Sequence, residues 1–468
     1  MADIPPPLLG ALRVAIGNAN VLTSPEGIES YGRDEAGRLF ARTPDVVVRP
    51  RDAAQVAKIL ALAQEYRVAV TARGAGSGLA GAAVPLAGGI VLSVERMNRI
   101  LEIDAVNRVA VVEPGVITND LCRAVMRKGF LYAGYPMSTE TSTIGGNIAT
   151  NAGGAKVLRY GSTRRSVLGV DLAVPGGEIL TLGGRYRKET WGYSLLQLVV
   201  GSEGTLGVVT RATLALEPLE RAATTILAAF RTTDEAVAAV VPLLASGAKL
   251  TACEYMDRMS VRLSTDRLNT TLPMQDDAEA YLVLLVEDRN ESRMEEEVEL
   301  TGTLLAKAGA LEVFVADNRT QAERIWSVRQ GVTEGILAVD PWASMSGDTV
   351  VPLSAVGEMI RLTDAICARR GVRVCTIGHV ADGNMHPAFF KPEASSPKSW
   401  ATEAEDLYAE IVAAAVRLGG VGSGEHGVGY VKAPMFAASK SKRELAVMAG
   451  VRAAFDPDGI MNPGKLAI

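Results

Sequence analysis

The chain has 468 residues, with 48 Lys+Arg against 53 Asp+Glu and a formal net charge of -5. At roughly 100–200 residues per domain this length accommodates two to four domains. With 48% hydrophobic and 22% charged residues the composition is that of a globular protein, which excludes disorder and collagen-like structure, and the charge balance excludes a general nucleic-acid binder.

No stretch reaches the ~18 uninterrupted apolar residues of a membrane span. The segment Met1 to Leu9 has no basic region followed by an apolar run, so no signal peptide is expected. Cys122, Cys253, Cys367 and Cys375 form no C-x-x-C pair and no zinc-like spacing. Free thiols in a reducing compartment are expected, hence a cytoplasmic location, with peripheral membrane contact left open. Glycine supplies 47 of the 468 residues, above the usual ~7%. The glycines cluster, as tight turns or close backbone approach to a ligand require.

In chain order, residues 1–40 read as a short helical lead-in and a loop. Val46-Val47-Val48 is a short strand ending at Pro50. Asp52 can cap a helix whose apolar positions include Val56, Ile59, Leu60 and Ala63. Val68-Ala69-Val70 is the next strand, a βαβ-like opening into the glycine-rich run Arg73 to Gly81. Strands follow at Ile90 to Val94, Val109 to Val112, Val167 to Val174 and Thr205 to Leu216, as a mixed rather than doubly wound sheet. Past Pro218, strands at Thr224 to Phe230, Tyr281 to Val286 and Leu311 to Val315 alternate with Ala- and Glu-rich helices. Ala401 to Leu418 is amphipathic and helical, and Asp456 to Lys465 is rich in Pro and Gly. The class expected is α+β, with a lead-in over 1–41, a first domain over 42–220, a second over 221–400 and a helical C-terminal segment over 401–468. There is no internal repeat of solenoid period.

Three loops carry the glycines. R-G-A-G-S-G-L-A-G, Arg73 to Gly81, contains a formal G-x-G-x-x-G at Gly76, Gly78 and Gly81. A dinucleotide fingerprint needs a helix next, but Pro85 and Gly88-Gly89 intervene and a strand follows. A Walker loop fails for want of Gly-Lys-Ser/Thr. Two readings remain: backbone N–H donors that cradle a diphosphate, or a loop that is merely tight. Pro136 to Gly154, P-M-S-T-E-T-S-T-I-G-G-N-I-A-T-N-A-G-G, is too polar for a core strand and suits a large hydrogen-bonding ligand. G-S-E-G-T-L-G-V-V-T, Gly201 to Thr210, is a turn feeding a strand.

These three motifs, in this order, resemble the FAD-binding domain of the vanillyl-alcohol oxidase and p-cresol methylhydroxylase superfamily, over about residues 42–220. The resemblance implies that Arg73, Gly74, Ala75, Gly76, Ser77 and Gly78, with the Gly145-Gly146 region, hold the FAD diphosphate through backbone amides. Ser138, Thr143, Asn147 and the Val208-Val209 backbone would lie along the rest of the cofactor. Pro136, Ala149, Gly153 and Glu203 complete the implied set.

The chain has 3 histidines, His379, His386 and His426. None lies in 42–220, so histidyl attachment of flavin there is impossible and non-covalent FAD is expected. They sit in G-H-V-A-D-G-N-M-H and S-G-E-H-G-V-G. Imidazoles with a carboxylate suit zinc, manganese or iron; the alternative is a satisfied polar cluster. The spacing of His379 and His386 fits a strand–turn–strand better than one helix face. Neighbours on an extended segment point to opposite sides, which would turn Glu425 to a metal and His426 to a substrate.

Through A-F-D-P-D-G-I-M-N-P-G-K, the C-terminal half is similar to the FAD-linked 2-hydroxyacid dehydrogenases, the group of D-lactate dehydrogenase, D-2-hydroxyglutarate dehydrogenase and the flavoprotein subunit of glycolate oxidase. The resemblance implies that His379, His386 and Glu425 bind a divalent metal, that His426 is the base and that Asn462 lies near the flavin. The second domain would be the substrate-binding cap, and the C-terminal segment would return to the FAD domain. Arg329 in I-W-S-V-R-Q-G-V-T matches a carboxylate-binding arginine, against the plainer reading of a surface helix arginine; Thr333 would share its helix face. The expected reaction is oxidation of a small D-2-hydroxy acid to the 2-oxo acid. Ser346 and Ala388 replace a lysine and an asparagine of the hydroxyglutarate enzymes, which favours D-lactate or glycolate. The Arg329–Thr333 spacing keeps D-2-hydroxyglutarate as the alternative. Also implied are an electron acceptor such as a quinone, a cytochrome or an electron-transfer flavoprotein, and a homo-oligomer. A flavoprotein subunit active only with partner subunits, and a non-redox nucleotide module, stand as other classes.

Overall fold

In the computed structural model, which describes residues 4–37 and 40–468, the chain divides into two units. The first comprises the residues up to Gly153, Gly161–Pro218 and Glu425–Ile468; the second comprises Gly154–Tyr160 and Leu219–Gly424. Residues 1–3 and 38–39 of the expected lead-in lie outside the described residues.

The first unit opens on the expected strand–helix–strand pattern, but the strand expected at Val68–Val70 runs Val70–Arg73, because the Val68 amide is spent on the Ala63 carbonyl at 2.9 Å where the chain leaves the helix. Val46–Val48, Ile90–Ser93 and Val70–Arg73 pair in parallel, with Val21–Leu22 antiparallel on the edge. Buried parallel strands read as unbroken apolar runs rather than alternation, and Val46, Val47, Val48, Ile90, Val91 and Leu92 are all fully buried. The crossover is the helix Ala53–Glu65. The Asp52 side chain accepts from the Gln55 amide at 2.9 Å, the expected cap. Its stripe Val56, Ile59, Leu60 and Ala63 is buried against this sheet together with Leu8, Leu12 and Ile16 of the helix Pro6–Ile16. Each fully buried aliphatic side chain there contributes about 1.5–3 kcal/mol, which makes the lead-in part of this unit.

The second sheet of this unit is antiparallel, in the order Ile100–Asp104, Val109–Val112, Val208–Ala215, Val167–Ala173, Ile179–Gly183. The helices Thr118–Met126, Ile144–Thr150 and Leu195–Val199 bury Leu121, Val125, Ile144, Ile148, Leu196 and Val199 against it.

The second unit is built on seven antiparallel strands, in the order Glu312–Val315, Ala222–Phe230, Ala280–Asp288, Leu250–Asp257, Val374–His379, Asn384–Phe389, Thr349–Val350. Helices Arg258–Leu268, Arg319–Gln330 and Val332–Val339 cover one face through Val261, Ile325, Val328, Val332 and Ile336. Two features differ from the expected boundaries. The helix Pro397–Arg417 packs on Val356–Arg369, and this unit runs on to Gly424. Residues 154–160 also belong here, because Arg159 donates to the Glu287 carbonyl at 2.8 Å and Lys156 pairs with the Glu287 carboxylate at 2.9 Å. Among the described residues no helix is long and apolar enough to cross a membrane, and the cysteines form no disulfide.

Candidate active site

In the second unit, Val374–His379 and Asn384–Phe389 form a hairpin that pairs His379 with Asn384 and Ile377 with His386. Cross-strand partners share a face, so His379, His386 and Asn384 lie on one side of the sheet. The two imidazole centroids are 5.2 Å apart with planes at 84°. The hairpin closes at Gly383, with φ 82, where a Cβ would stand 2.1 Å from the Val351 carbonyl oxygen; only glycine fits that approach without strain.

His379 is buried, and its Nδ1 lies 2.6 Å from Glu254 Oε1. The other carboxylate oxygen of Glu254 lies 2.8 Å from a terminal guanidinium nitrogen of Arg329. Glu254, on the adjacent strand Leu250–Asp257, is fully buried, and a buried carboxylate must be paired to be tolerated. The result is a line Arg329–Glu254–His379. His386 Nδ1 faces the Gly347 carbonyl at 3.3 Å and Asp348 Oδ1 at 3.7 Å. Asp348 accepts from Asn384 Nδ2 at 3.0 Å and Ser423 Oγ at 2.7 Å. The Asp348 N–H donates to the Tyr408 hydroxyl at 3.0 Å, and that hydroxyl donates to the Gly422 carbonyl at 2.8 Å. Imidazoles held at Nδ1 by carboxylates and carbonyls are the arrangement that orients metal-ligating histidines through Nε2, so the donor set fits a borderline divalent cation.

In the first unit, the loop Arg73–Gly81 leaves the carboxyl end of the strand Val70–Arg73, where open α/β sheets bind ligands. The Arg73 guanidinium folds back and donates to the Arg33 carbonyl at 2.7 Å and the Ser30 carbonyl at 3.3 Å, so it braces the loop. Among the described residues, the amides of Ala75, Gly76, Ser77 and Gly78 donate to no protein acceptor. A Cβ on Gly78 would meet only Asp34 Oδ2, at 3.9 Å. A row of available backbone donors with open space beside it fits a diphosphate. Gly74 serves packing instead. A Cβ there would stand 2.3 Å from Thr143 Oγ1, so the first loop lies directly on the second.

The second loop differs in detail from expectation. Gly145 donates to the Pro114 carbonyl at 2.7 Å, and Gly146 to Thr143 Oγ1 at 3.3 Å. Both amides, expected on the diphosphate, are engaged within the chain. Gly145 requires glycine for proximity instead, since a Cβ there would lie 2.7 Å from Pro114 Cβ. Asn147 is buried and donates to Thr118 Oγ1 at 2.8 Å. Pro136 is half-buried, Ser138 exposed and Gly153 buried. Val208 and Val209 pair with Ala173 and Leu172, followed by a register shift before Arg211.

The third loop ties the others together. Glu203 N–H donates to the Ala149 carbonyl at 2.7 Å, and its two carboxylate oxygens each accept at 2.7 Å, from the amides of Val428 and Gly429. Burial pushes the Glu203 carboxyl up to about 7, against the two amides and Lys465. Asn462 Nδ2 donates to the Glu203 carbonyl at 2.7 Å and to the Ala82 carbonyl at 2.9 Å. The Asn462 Oδ1, also buried, has no hydrogen-bond partner among the described residues and is a second polar atom for a ligand's donor. Lys465 Nζ donates to the Val84 carbonyl at 2.6 Å, and burial brings its pKa down to about 8.

Two expectations need correction. Thr333 does not share a helix with Arg329: one helix ends at Gln330, the next begins at Val332, and Thr333 is exposed while Arg329 is buried. Nor do Glu425 and His426 face opposite ways. Residues 424–426 are bends rather than extended chain, and His426 Nε2 lies 3.8 Å from Glu425 Oε1. The sequence reading missed Glu254 and Lys465. A lone carboxylate inside the apolar strand T-A-C-E-Y-M was the available signal for the first.

Residues 44–183 match the family described as FAD binding domain, and residues 219–466 match FAD linked oxidases, C-terminal domain. The chain is 36% identical over 450 residues to the glycolate oxidase subunit GlcD of Bacillus subtilis, covering 94% of each. It is 33% identical over 459 residues to a D-lactate dehydrogenase of Anaerostipes hadrus, covering 96% of this chain and 95% of that one. Among solved structures, p-cresol methylhydroxylase with substrate bound superposes with a TM-score of 0.83 at 16% identity, over 99% of this chain and 96% of that one. The two sequence families, the relatives and the shared fold agree: the chain belongs to the FAD-linked oxidases.

Proposed function

We propose that this protein is a dehydrogenase that oxidises a small D-2-hydroxy acid, D-lactate or glycolate, to the 2-oxo acid, using non-covalently bound FAD and a divalent cation. The observation that carries the reading is the pair of imidazoles in the second unit, each held at Nδ1 and set on one sheet face. Bound FAD would supply the two-electron acceptor and a bound zinc, manganese or iron ion the Lewis acidity at the substrate hydroxyl.

The protein's own residues do the rest. His379 and His386 offer Nε2 to the cation. Glu425 is the carboxylate of the proposed set. His426 takes the hydroxyl proton, a role matched to an imidazole near neutral pH. The Ala75–Gly78 amides hold the cofactor's diphosphate. Arg329 is the carboxylate-binding candidate, although one arm of its guanidinium already serves Glu254.

A small monocarboxylate is favoured over hydroxyglutarate. The sheet face beside His386 carries Ile377 and Ala388, both buried and apolar, and Thr333 is too exposed to continue a carboxylate site from Arg329. Relatives are described as a glycolate oxidase subunit, a D-lactate dehydrogenase and a D-2-hydroxyglutarate dehydrogenase, which supports oxidation of a 2-hydroxy acid without choosing among the three. The first supports a second reading, in which turnover needs partner subunits. Anaerobic mixing of the purified chain with D-lactate, glycolate and D-2-hydroxyglutarate tests both. Bleaching by a monocarboxylate supports the proposal, and bleaching by none would overturn it for the isolated chain.

A further inference from the structure

We propose that Glu203 is a positioning residue for the turn that carries His426. The inference rests on the reading of His426 as the base. The turn Gly427–Gly429 wraps the Glu203 carboxylate: Val428 and Gly429 each donate an amide at 2.7 Å, one to each oxygen. Gly427 and Gly429 have φ of 83° and 53°. Successive N–H groups with left-handed residues between them form a concavity that binds an anion, here filled by a side chain of the same unit. A Cβ on Gly427 would lie 2.8 Å from Glu203 Oε1, so the turn closes onto the carboxylate as tightly as glycine allows.

The anchor is itself anchored. The Glu203 N–H is held by Ala149 of the second loop and its carbonyl by Asn462 of the C-terminal tail, each at 2.7 Å. Its own φ is 52°, a backbone region that favours glycine. A long acidic side chain at a strained, buried position implies that the carboxylate has work there. Downstream, the Tyr430 amide donates to the Ala80 carbonyl at 3.2 Å, and a Cβ on Gly429 would stand 1.8 Å from that oxygen. The backbone two and three residues after His426 is therefore fixed by Glu203 on one side and the first glycine loop on the other. With only Gly427 between, the place of the imidazole follows from that of the carboxylate.

The test uses the full-length FAD-bound protein and four forms: parent, Glu203→Gln, His426→Ala and the double variant. Glutamine keeps the shape but turns an NH₂ towards one of the two amides. Hydrogen exchange at Val428 and Gly429 should quicken in Glu203→Gln, with FAD content unchanged. With D-lactate or glycolate, kcat should fall by about 10²-fold while KM stays within about two-fold, as misplacement of a catalytic group requires. In the His426→Ala background the same substitution should cost nothing further, because the group it positions is gone. Equal losses in both backgrounds would mark Glu203 as a general structural brace and overturn the proposal, as would faster exchange with unchanged kcat in Glu203→Gln. Should Glu203→Gln fail to fold, Gly427→Ala, whose Cβ would stand 2.8 Å from Glu203 Oε1 and so part the turn from the carboxylate, takes its place under the same criteria. A parent that no 2-hydroxy acid reduces would overturn the functional reading and the positioning claim together; normal parent turnover with additive losses overturns the positioning claim alone.

Discussion

Glu254 shows how much a single buried carboxylate can decide. It is completely buried between the guanidinium of Arg329 and Nδ1 of His379. Glu254→Leu would leave Arg329 as an uncompensated buried cation, and breaking such a pair from one side costs about 3–5 kcal/mol, read from urea unfolding. Glu254→Gln preserves volume but weakens the hold on His379; with His379 as the proposed metal ligand, loss of such a supporting partner is expected to lower metal affinity about 10–100-fold. Chelator competition measures this without any assay of turnover. Unchanged affinity would show that Glu254 does not support the proposed metal site. Asp257 gives a pH prediction. Burial raises its carboxyl from 3.8 to about 6, against the amides of Ser260 and Thr376. Between those values the folded chain keeps a proton that the unfolded chain has released, so stability falls as pH rises. The contribution is fully present below pH 3.8 and lost through about pH 6, and a difference of that size corresponds to about 3 kcal/mol. Asp257→Asn should flatten the stability–pH curve over this window; an unchanged slope would place the effect elsewhere.

At the scale of elements, the local signals were legible and the distant ones were not. The Val46–Val48 strand, the Asp52 cap and the strand–turn–strand carrying His379 and His386 are all written within a few residues of themselves. The Glu254–His379 contact joins positions 125 apart, and the Glu203–Val428 contact positions 225 apart; no periodicity or cap announces either. Gly145 and Gly146 are expected on the diphosphate, but their amides are spent inside the chain because Pro114 and Thr143 lie within reach. The expected alternation of Glu425 and His426 fails because glycine turns, not extended chain, surround them. The histidine hairpin depends on its own glycine. Gly383→Ala would drive a Cβ to 2.1 Å from the Val351 carbonyl at a φ of 82°. The left-handed backbone alone costs about 1–2 kcal/mol, so a larger loss is expected in thermal unfolding, together with weakened metal binding. A fully stable variant that binds metal normally would show that the hairpin tolerates a different turn.

In the whole molecule, one chain carries an FAD-binding first unit and a second unit that holds two imidazoles on one sheet face. No histidine occurs between residues 42 and 220, and non-covalent FAD is expected. Acid precipitation should then release the yellow cofactor into the supernatant; colour retained in the washed pellet would contradict it. The central claim is that a divalent cation held by His379 and His386 and a base at His426 serve flavin reduction by a small 2-hydroxy acid. It is tested most directly by anaerobic stopped-flow reduction of the flavin by D-lactate and glycolate, with parent, chelator-treated parent, His379→Ala and His426→Ala compared and metal content measured alongside. The expected result is rapid bleaching in the parent, loss of bleaching with loss of metal in the chelator-treated protein and in His379→Ala, and a rate lower by about 10²–10⁴-fold with metal retained in His426→Ala. Bleaching at the parent rate in all four would contradict it.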